Sequence, residues 1–339
     1  MRVYIQWCRY RQTGESWSCP PKDTLRPHGG TAKNFAMQKL QGLRDAIAAE
    51  IQDGMSIFMG AALESLIPFA AGHEIIRQQK RDLTLMTTIS DMQFDQLIGA
   101  GVVRKICGAW VGNVAAGLGH NYRRAMESQL PLPVEVEDHS NFTVALGLKA
   151  AALGLPFLPT HTLIGSDIQT GPQFSRVTCP FTDRPLLAVR ELRPDVAILH
   201  VQRADPEGNA HVWGNLGVTQ DAAMAAGKVV LTCEEIVTHD VILSDPNRTL
   251  IPGFVVAAVV HVPFGSHPSP TQGYSRRDDG CYFDYHRQSR DREGFLEWLN
   301  TWVLGPDGHE SYLEKLGAQR VAELRPSTAC MAAPASFGY

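Results

Sequence analysis

Two apolar patterns alternate along the first part of the chain. Between Leu43 and Ile51, the apolar positions Leu43, Ala46, Ile47 and Ile51 recur at helical spacing. Gly54 then leads into Met55-Ser56-Ile57-Phe58-Met59, a run too short for a helix, which stops at Gly60. The succession returns as a helix around Pro68 to Gln79, a strand at Leu83 to Met86, a helix around Met92 to Ile98 and a strand at Val102 to Cys107. Further on come a helix at Thr143 to Leu153 and strands at Val196 to Val201 and Val229 to Cys233. Strands apolar at nearly every position are buried on both faces, so the pattern predicts an α/β fold: a mainly parallel open sheet with helices on both faces. After Gly265 the chain reads as loop, rich in Ser, Pro, Gly, Asp and Tyr, followed by helices near Glu293 to Val303 and His309 to Leu316. There is no internal repeat and no low-complexity tract.

The pattern also sets expected boundaries. Residues 1–36 mix Arg, Trp, Cys, Pro and Gly without period, which suggests an irregular extension, with Met37 as the natural beginning. The α/β domain is expected over 37–325 and a short tail over 326–339. A length of 339 residues, 44% hydrophobic and 19% charged, suits a folded protein with a full core. The net charge of −4 gives no overall pull toward nucleic acid or an anionic membrane. Seven cysteines, an odd number with no CxxC pair, suggest buried reduced thiols and a cytoplasmic location. Neither a secretory h-region in the first 36 residues nor an apolar run of about 18 residues is present.

An open parallel sheet binds ligands at the carboxyl ends of its strands, so the residues just after the strands are the candidates. Gly60 and Ala61 follow the first strand, with Ser65 close behind; a glycine there lets backbone N–H groups approach a phosphate or thioester oxygen, or makes a plain turn. Gly165 and Ser166 follow Thr162-Leu163-Ile164 and could bind an oxygen or cap a turn. Glu234 and Glu235 end a strand, where neighbours point apart, so one structural and one solvated glutamate is favoured. Asn113 and His267 lie in loops of the same kind, His267 within Pro-Phe-Gly-Ser-His-Pro-Ser. No His-Glu-x-x-His, clustered His/Cys set or Gly-x-Ser-x-Gly elbow occurs, so neither a metal nor a self-sufficient nucleophile is expected. The run DVAILHVQRADPEGNAHVWG, residues 195–214, adds a question: a core strand delivers His200 and Gln202 to its end and then reverses through Asp205-Pro206-Glu207-Gly208-Asn209.

The order of segments LRDAIAAEIQDGMSIFMG, PFAAGHEIIRQQKRDLTL, LKAAALGLPFLPTHTLIGSD, RPDVAILHVQRADPEGNAHVWG, VVLTCEEIV and IPGFVVAAVVHVPFGSHPS resembles the A (alpha) subunit of family I coenzyme A transferases, closest to the glutaconate type, from about Leu43 to Arg325. The resemblance implies transfer of CoA between an acyl-CoA and a carboxylic acid, with coenzyme A as substrate and no permanently bound cofactor. It implies that the thioester-forming glutamate lies on a partner B (beta) subunit, that no catalytic residue is on this chain, and that the assembly is a hetero-oligomer of one or two copies of each subunit. Gly60, Ala61, Ser65, Asn113, Gly165, Ser166 and His267 would then line the acyl side of a cleft against the B subunit, with Gly60→Val cutting turnover without unfolding. Two departures stand out: Gly60-Ala61 replaces a double glycine, and Leu66-Ile67 replaces a basic pair before Pro68, which points to a more apolar acyl group than a dicarboxylate. Same-fold alternatives are a ring-opening acyl-CoA hydrolase or a decarboxylase, for which Glu137 and Asp138-His139-Ser140-Asn141 are the place to look for a base, and a binding protein without catalysis.

Overall fold

A computed structural model describes residues 39–326. The expected extension over 1–36, and all but the first residue of the expected tail over 326–339, lie outside the described residues.

The predicted succession of helices and strands is present. Helix α1 (Leu43–Glu50) precedes β1 (Ser56–Phe58), α2 (Phe69–Arg77), β2 (Leu83–Thr87), α3 (Asp91–Gly99) and β3 (Val103–Gly108). Then follow α4 (His120–Ser128), β4 (Glu135–Asp138), α5 (Asn141–Ala152) and three strands, β5 (Phe157–Thr160), β6 (Phe174–Thr178) and β7 (Pro185–Arg190). The second half contains β8 (Val196–Ala204), β9 (Ala210–His211), α6 (Thr219–Ala225), β10 (Lys228–Ile236), α7 (His239–Ser244), β11 (Thr249–Ile251) and β12 (Val256–His261). It closes with α8 (Asp279–Gln288), α9 (Arg292–Leu299), α10 (His309–Leu316) and α11 (Ala318–Leu324).

Seven strands of the main sheet run β12-β10-β8-β1-β2-β3-β4, all parallel, and the short β9 and β11 join it antiparallel beside β8. Alternate residues feed two cores: Ile57, Ile198 and Val230 face the layer of α1, α2, α3 and the C-terminal helices, whereas Phe58, Leu199 and Leu231 face α5 and α6. A separate antiparallel sheet, β5-β7-β6, was not legible in the apolar pattern. Its strands are half exposed, and only Phe174, Leu187 and Val189 form its core. The stretch after Gly265 is not all loop either, since α8 lies within it. That helix buries only Tyr282 and Tyr285, and its start is capped by the Asp278 carboxylate, which accepts the Cys281 N–H at 3.1 Å.

Strand β8 explains the run at 195–214. It pairs along its length with β10; on its other edge Val196 and Ala197 pair with β1, while Arg203 and Ala204 pair with β9. The reversal is built by Asp205, whose Oδ1 accepts the N–H groups of Glu207 and Asn209 at 3.0 and 2.9 Å. Gly208 sits at φ +91° with an added Cβ only 2.8 Å from the Val256 side chain, so glycine is required there. The Gln202 amide then donates to the Trp213 carbonyl at 2.9 Å, tying the outgoing segment to the strand it left.

Candidate functional site

The carboxyl ends of β1 to β4 open into a cleft of about 570 Å³. Glu64 lines it from the loop after β1, Ile89 from after β2, Ala109, Trp110 and Val114 from after β3, and His139, Ser140 and Asn141 from after β4; Ile168 closes it from the β5–β6 connection. Each loop is fixed by contacts distant in sequence. In the first, Gly60 adopts φ +76°, and the non-glycine residues Leu63 and Leu66 are also left-handed. The Ala61 carbonyl accepts the Val218 N–H at 2.8 Å, Leu66 N–H donates to the Pro270 carbonyl at 3.0 Å, and the Ser269 hydroxyl donates to the Glu64 carbonyl at 3.0 Å.

The wall carrying Trp110 and Val114 is held by buried polar groups. Asp91, itself left-handed, accepts the N–H groups of Met92 and Val114 at 2.8 and 3.1 Å and the Tyr282 hydroxyl. Burial pushes this carboxyl up to about 6, and the three hydrogen bonds only partly oppose it. Asn113 accepts the N–H groups of Ala115 and Ala116, both at 3.0 Å, and donates to the Tyr282 carbonyl at 2.9 Å.

Glu137 and His139 support the wall opposite. Glu137 Oε2 lies 2.7 Å from Lys105 Nζ, Arg190 Nη2 is 3.3 Å from both carboxylate oxygens, and His139 Nε2 is 3.3 Å from Oε1. The other imidazole nitrogen meets the Thr143 hydroxyl at 3.2 Å, inside the capping box that Ser140 and Thr143 form at the start of α5. Both nitrogens of His139 are engaged, so the ring positions the Ser140-Asn141 rim and is not free to act as a base. Cys107, Glu137 and His139 bring donor atoms within 4.8 Å of one another, a set of metal-ligand type, but Glu137 already carries two cations.

Hydrogen bonding from His139, then Lys105 and Arg190, draws the Glu137 carboxyl down to about 2 against the opposing effect of burial. Its folded value therefore lies below its unfolded one. The stabilisation is present above the ordinary 4.5 and is lost as pH falls through about 2. Its expected size is about 2–3 kcal/mol. Acid unfolding of wild type and Glu137→Gln checks this: the gap at neutral pH should narrow between these two values, and a constant gap would contradict the assignment.

The candidate residues separate into two groups. Gly60, Ala61 and Ser65 belong to the loop that presents Glu64, with the Ser65 hydroxyl donating to the Ala62 carbonyl at 3.1 Å. Gly165 and Ser166 stand just before Ile168, the Ser166 hydroxyl donating to the Leu163 carbonyl at 2.9 Å. Asn113 neighbours the cleft, but its amide is spent on the wall. His267 is not brought to the cleft lining: buried, it meets the Tyr312 hydroxyl at 2.7 Å and Asp278 at 3.1 Å, and Asp278 also accepts from Arg320. His200 is likewise buried, between Thr232 and Glu234 at 3.0 Å each. Glu234 is structural, while the half-buried Glu235 takes Arg203 and the Tyr274 hydroxyl at 2.9 and 2.7 Å.

Trp110 and Val114 were missed as lining residues, Glu64 was not singled out beside Gly60 and Ser65, and His139 entered only within the Asp138–Asn141 segment considered for a hydrolase. For Trp110 and His139 the signal was present, since both fall within a few residues of a strand's carboxyl end.

Residues 41–262 match the family described as coenzyme A transferase. The chain belongs to that family. It is 40% identical over 281 residues to the A subunit of the 3-oxoadipate CoA-transferase of Pseudomonas knackmussii, covering 83% of this chain and 99% of the relative. The crystal structure of glutaconate coenzyme A-transferase from Acidaminococcus fermentans superposes with a TM-score of 0.80 at 32% identity, covering 85% of this chain and 96% of that one. A variant of the decarboxylase AibA/AibB superposes with a TM-score of 0.67 at 28% identity, over 78% and 99% of the two chains. Within the CoA-transferase family the fold reading stands: a mostly parallel open sheet with helices on both faces. No helix among the described residues is long and apolar enough to cross a membrane.

Proposed function

We propose that this chain is the A subunit of a two-chain CoA-transferase and forms the acyl-side wall of a cleft completed by the B subunit. The observation that supports this most is an open cleft at the carboxyl edge whose bounding segments expose large apolar side chains, Trp110 on its lining and Phe142 and Ile164 close by in sequence to lining residues. Such a rim suits burial against a second protein. The cleft wall itself offers one carboxylate, Glu64, whose Oε2 is held 3.2 Å from Arg277 Nη1.

In this reading a glutamate contributed by the B subunit makes the first attack, on the acyl thioester carbonyl, expelling CoA thiolate and leaving a mixed acyl–glutamyl anhydride. The thiolate then attacks the glutamyl carbonyl, giving an enzyme thioester and the free acid; an acceptor carboxylate reverses the sequence. Gly60, Ala61, Ser65, Gly165 and Ser166 frame the cleft, and Asn113 and His267 brace the elements around it. The partner subunit makes the active species a hetero-oligomer, and coenzyme A enters as substrate.

Purified chain mixed with an acyl-CoA and a free carboxylate is expected to show no transfer, and addition of the B subunit to restore it. Appreciable transfer by the chain alone would overturn the reading and make Glu64 the first residue to replace.

A further inference from the structure

We propose that Glu64 determines substrate class by excluding acyl groups and acceptor acids that carry a second carboxylate at their far end. This inference rests on the cleft being the acyl site.

Apart from Glu64 on the β1 side and His139, Ser140 and Asn141 on the β4 side, the cleft wall is apolar. Ile89, Ala109, Trp110, Val114 and Ile168 supply a hydrocarbon surface, and no Lys or Arg is among its described lining residues. Glu64 is the single acidic residue among them, and that side chain is about half exposed. The nearest cation is already committed. Arg277 donates through Nη1 to Glu64 at 3.2 Å and through Nε to Asp279 at 2.7 Å, so one guanidinium serves two carboxylates and the group retains a net negative charge. The guanidinium also stacks 5.7 Å above the Tyr282 ring, which limits its freedom to swing into the cleft.

The adjoining cavity adds to the same field. It is lined by Glu135, Glu137, Asp138 and Asp167, of which Glu137 is paired with both Lys105 and Arg190. A distal carboxylate entering this end of the cleft would be desolvated beside Glu64 with no cation to receive it. A methyl-terminated chain brings no second charge to Glu64 and can pack on Ile89, Ala109, Trp110, Val114 and Ile168.

The sequence-based expectation of a more apolar acyl group runs the same way: Leu66 and Ile67 carry no charge, and Glu64 stands just before them. The relatives named above for 3-oxoadipate and glutaconate show that such a preference is not a property of the fold as a whole.

The test uses the reconstituted A–B complex with one acyl-CoA donor and acceptor pairs of equal length, pentanoate against glutarate and hexanoate against adipate. Wild type should favour the monocarboxylate at least tenfold in kcat/KM, mainly through KM, with the ratio shrinking as salt is raised. Glu64→Gln should move the ratio about tenfold toward the dicarboxylate. Arg277→Gln should move it the other way by leaving Glu64 unneutralised. Equal use of both acids by wild type, or the same ratio in all three proteins, would overturn the proposal. If the complex transfers CoA to neither acid, the transferase reading falls by itself. Hydrolysis of hexanoyl-CoA against adipyl-CoA by the three proteins then reads the same discrimination, and an unchanged ratio there overturns the Glu64 assignment.

Discussion

Glu234→Ala is expected to destabilise the chain by roughly 2–6 kcal/mol, the sum for two buried groups left without their hydrogen-bond partner. The carboxylate performs two tasks at once. Oε1 meets His200 Nε2 at 3.0 Å, and Oε2 accepts the Phe264 N–H at 2.8 Å, at a residue held in left-handed geometry with φ +59°. Alanine would leave a buried imidazole nitrogen and a buried main-chain donor unsatisfied, each at a cost of about 1–3 kcal/mol. The damage should reach the cleft, because the loop that Glu234 anchors continues to Ser269 and Pro270, which hold the Glu64 loop from behind. Glu234→Gln keeps an acceptor for Phe264 and a polar group toward His200, and should recover most of the loss. Thermal unfolding of the two variants, each with and without the B subunit, checks this. Equal melting temperatures for alanine and glutamine would show that the carboxylate is not what orders the loop.

Gly60→Val is expected to destabilise by about 3–5 kcal/mol, combining left-handed strain with a steric clash. This revises the sequence-based expectation of lost turnover in a folded protein. At φ +76° a side chain is strained whatever space surrounds it, and here a Cβ would lie 2.8 Å from the Ile89 carbonyl oxygen and 3.2 Å from Thr87 Oγ1. The obstacle is the main chain just after β2, which cannot rotate away as a side chain can. Valine adds a second branch where even alanine collides, so Gly60→Ala should be the milder of the two. A valine variant that melts at the wild-type temperature while losing turnover would restore the original expectation.

The parallel sheet was legible because its strands are apolar on both faces, a pattern that survives without knowledge of the partners. Elements that bury one face were harder. Helix α8 offers only Tyr282 and Tyr285 to the core among polar residues, and β5 to β7 alternate weakly around a core of three residues. The rule that ligands lie beyond strand ends located the cleft, and it named Gly60 and Ser65 on either side of Glu64. It gave no means of separating His267 from His139. Both are histidines just after strands; what distinguishes them is that Asp278 and Tyr312, both later in the chain, meet at the first and not the second. Arg277 beside Glu64 was equally invisible, because 213 residues separate the pair.

The turn at Asp205 to Asn209 bears on how such chains should be told apart. Its carboxylate satisfies the backbone of the reversal, its glycine makes room for Val256, and the segment it releases restores the β8 edge where β1 has ended. None of these duties involves an acyl group or a thioester. A chain that keeps this reversal needs the same three groups whatever chemistry its cleft performs. The most recognisable signature in the sequence is therefore a marker of ancestry, and a classification of relatives by chemistry should weigh the loop around Glu64 instead.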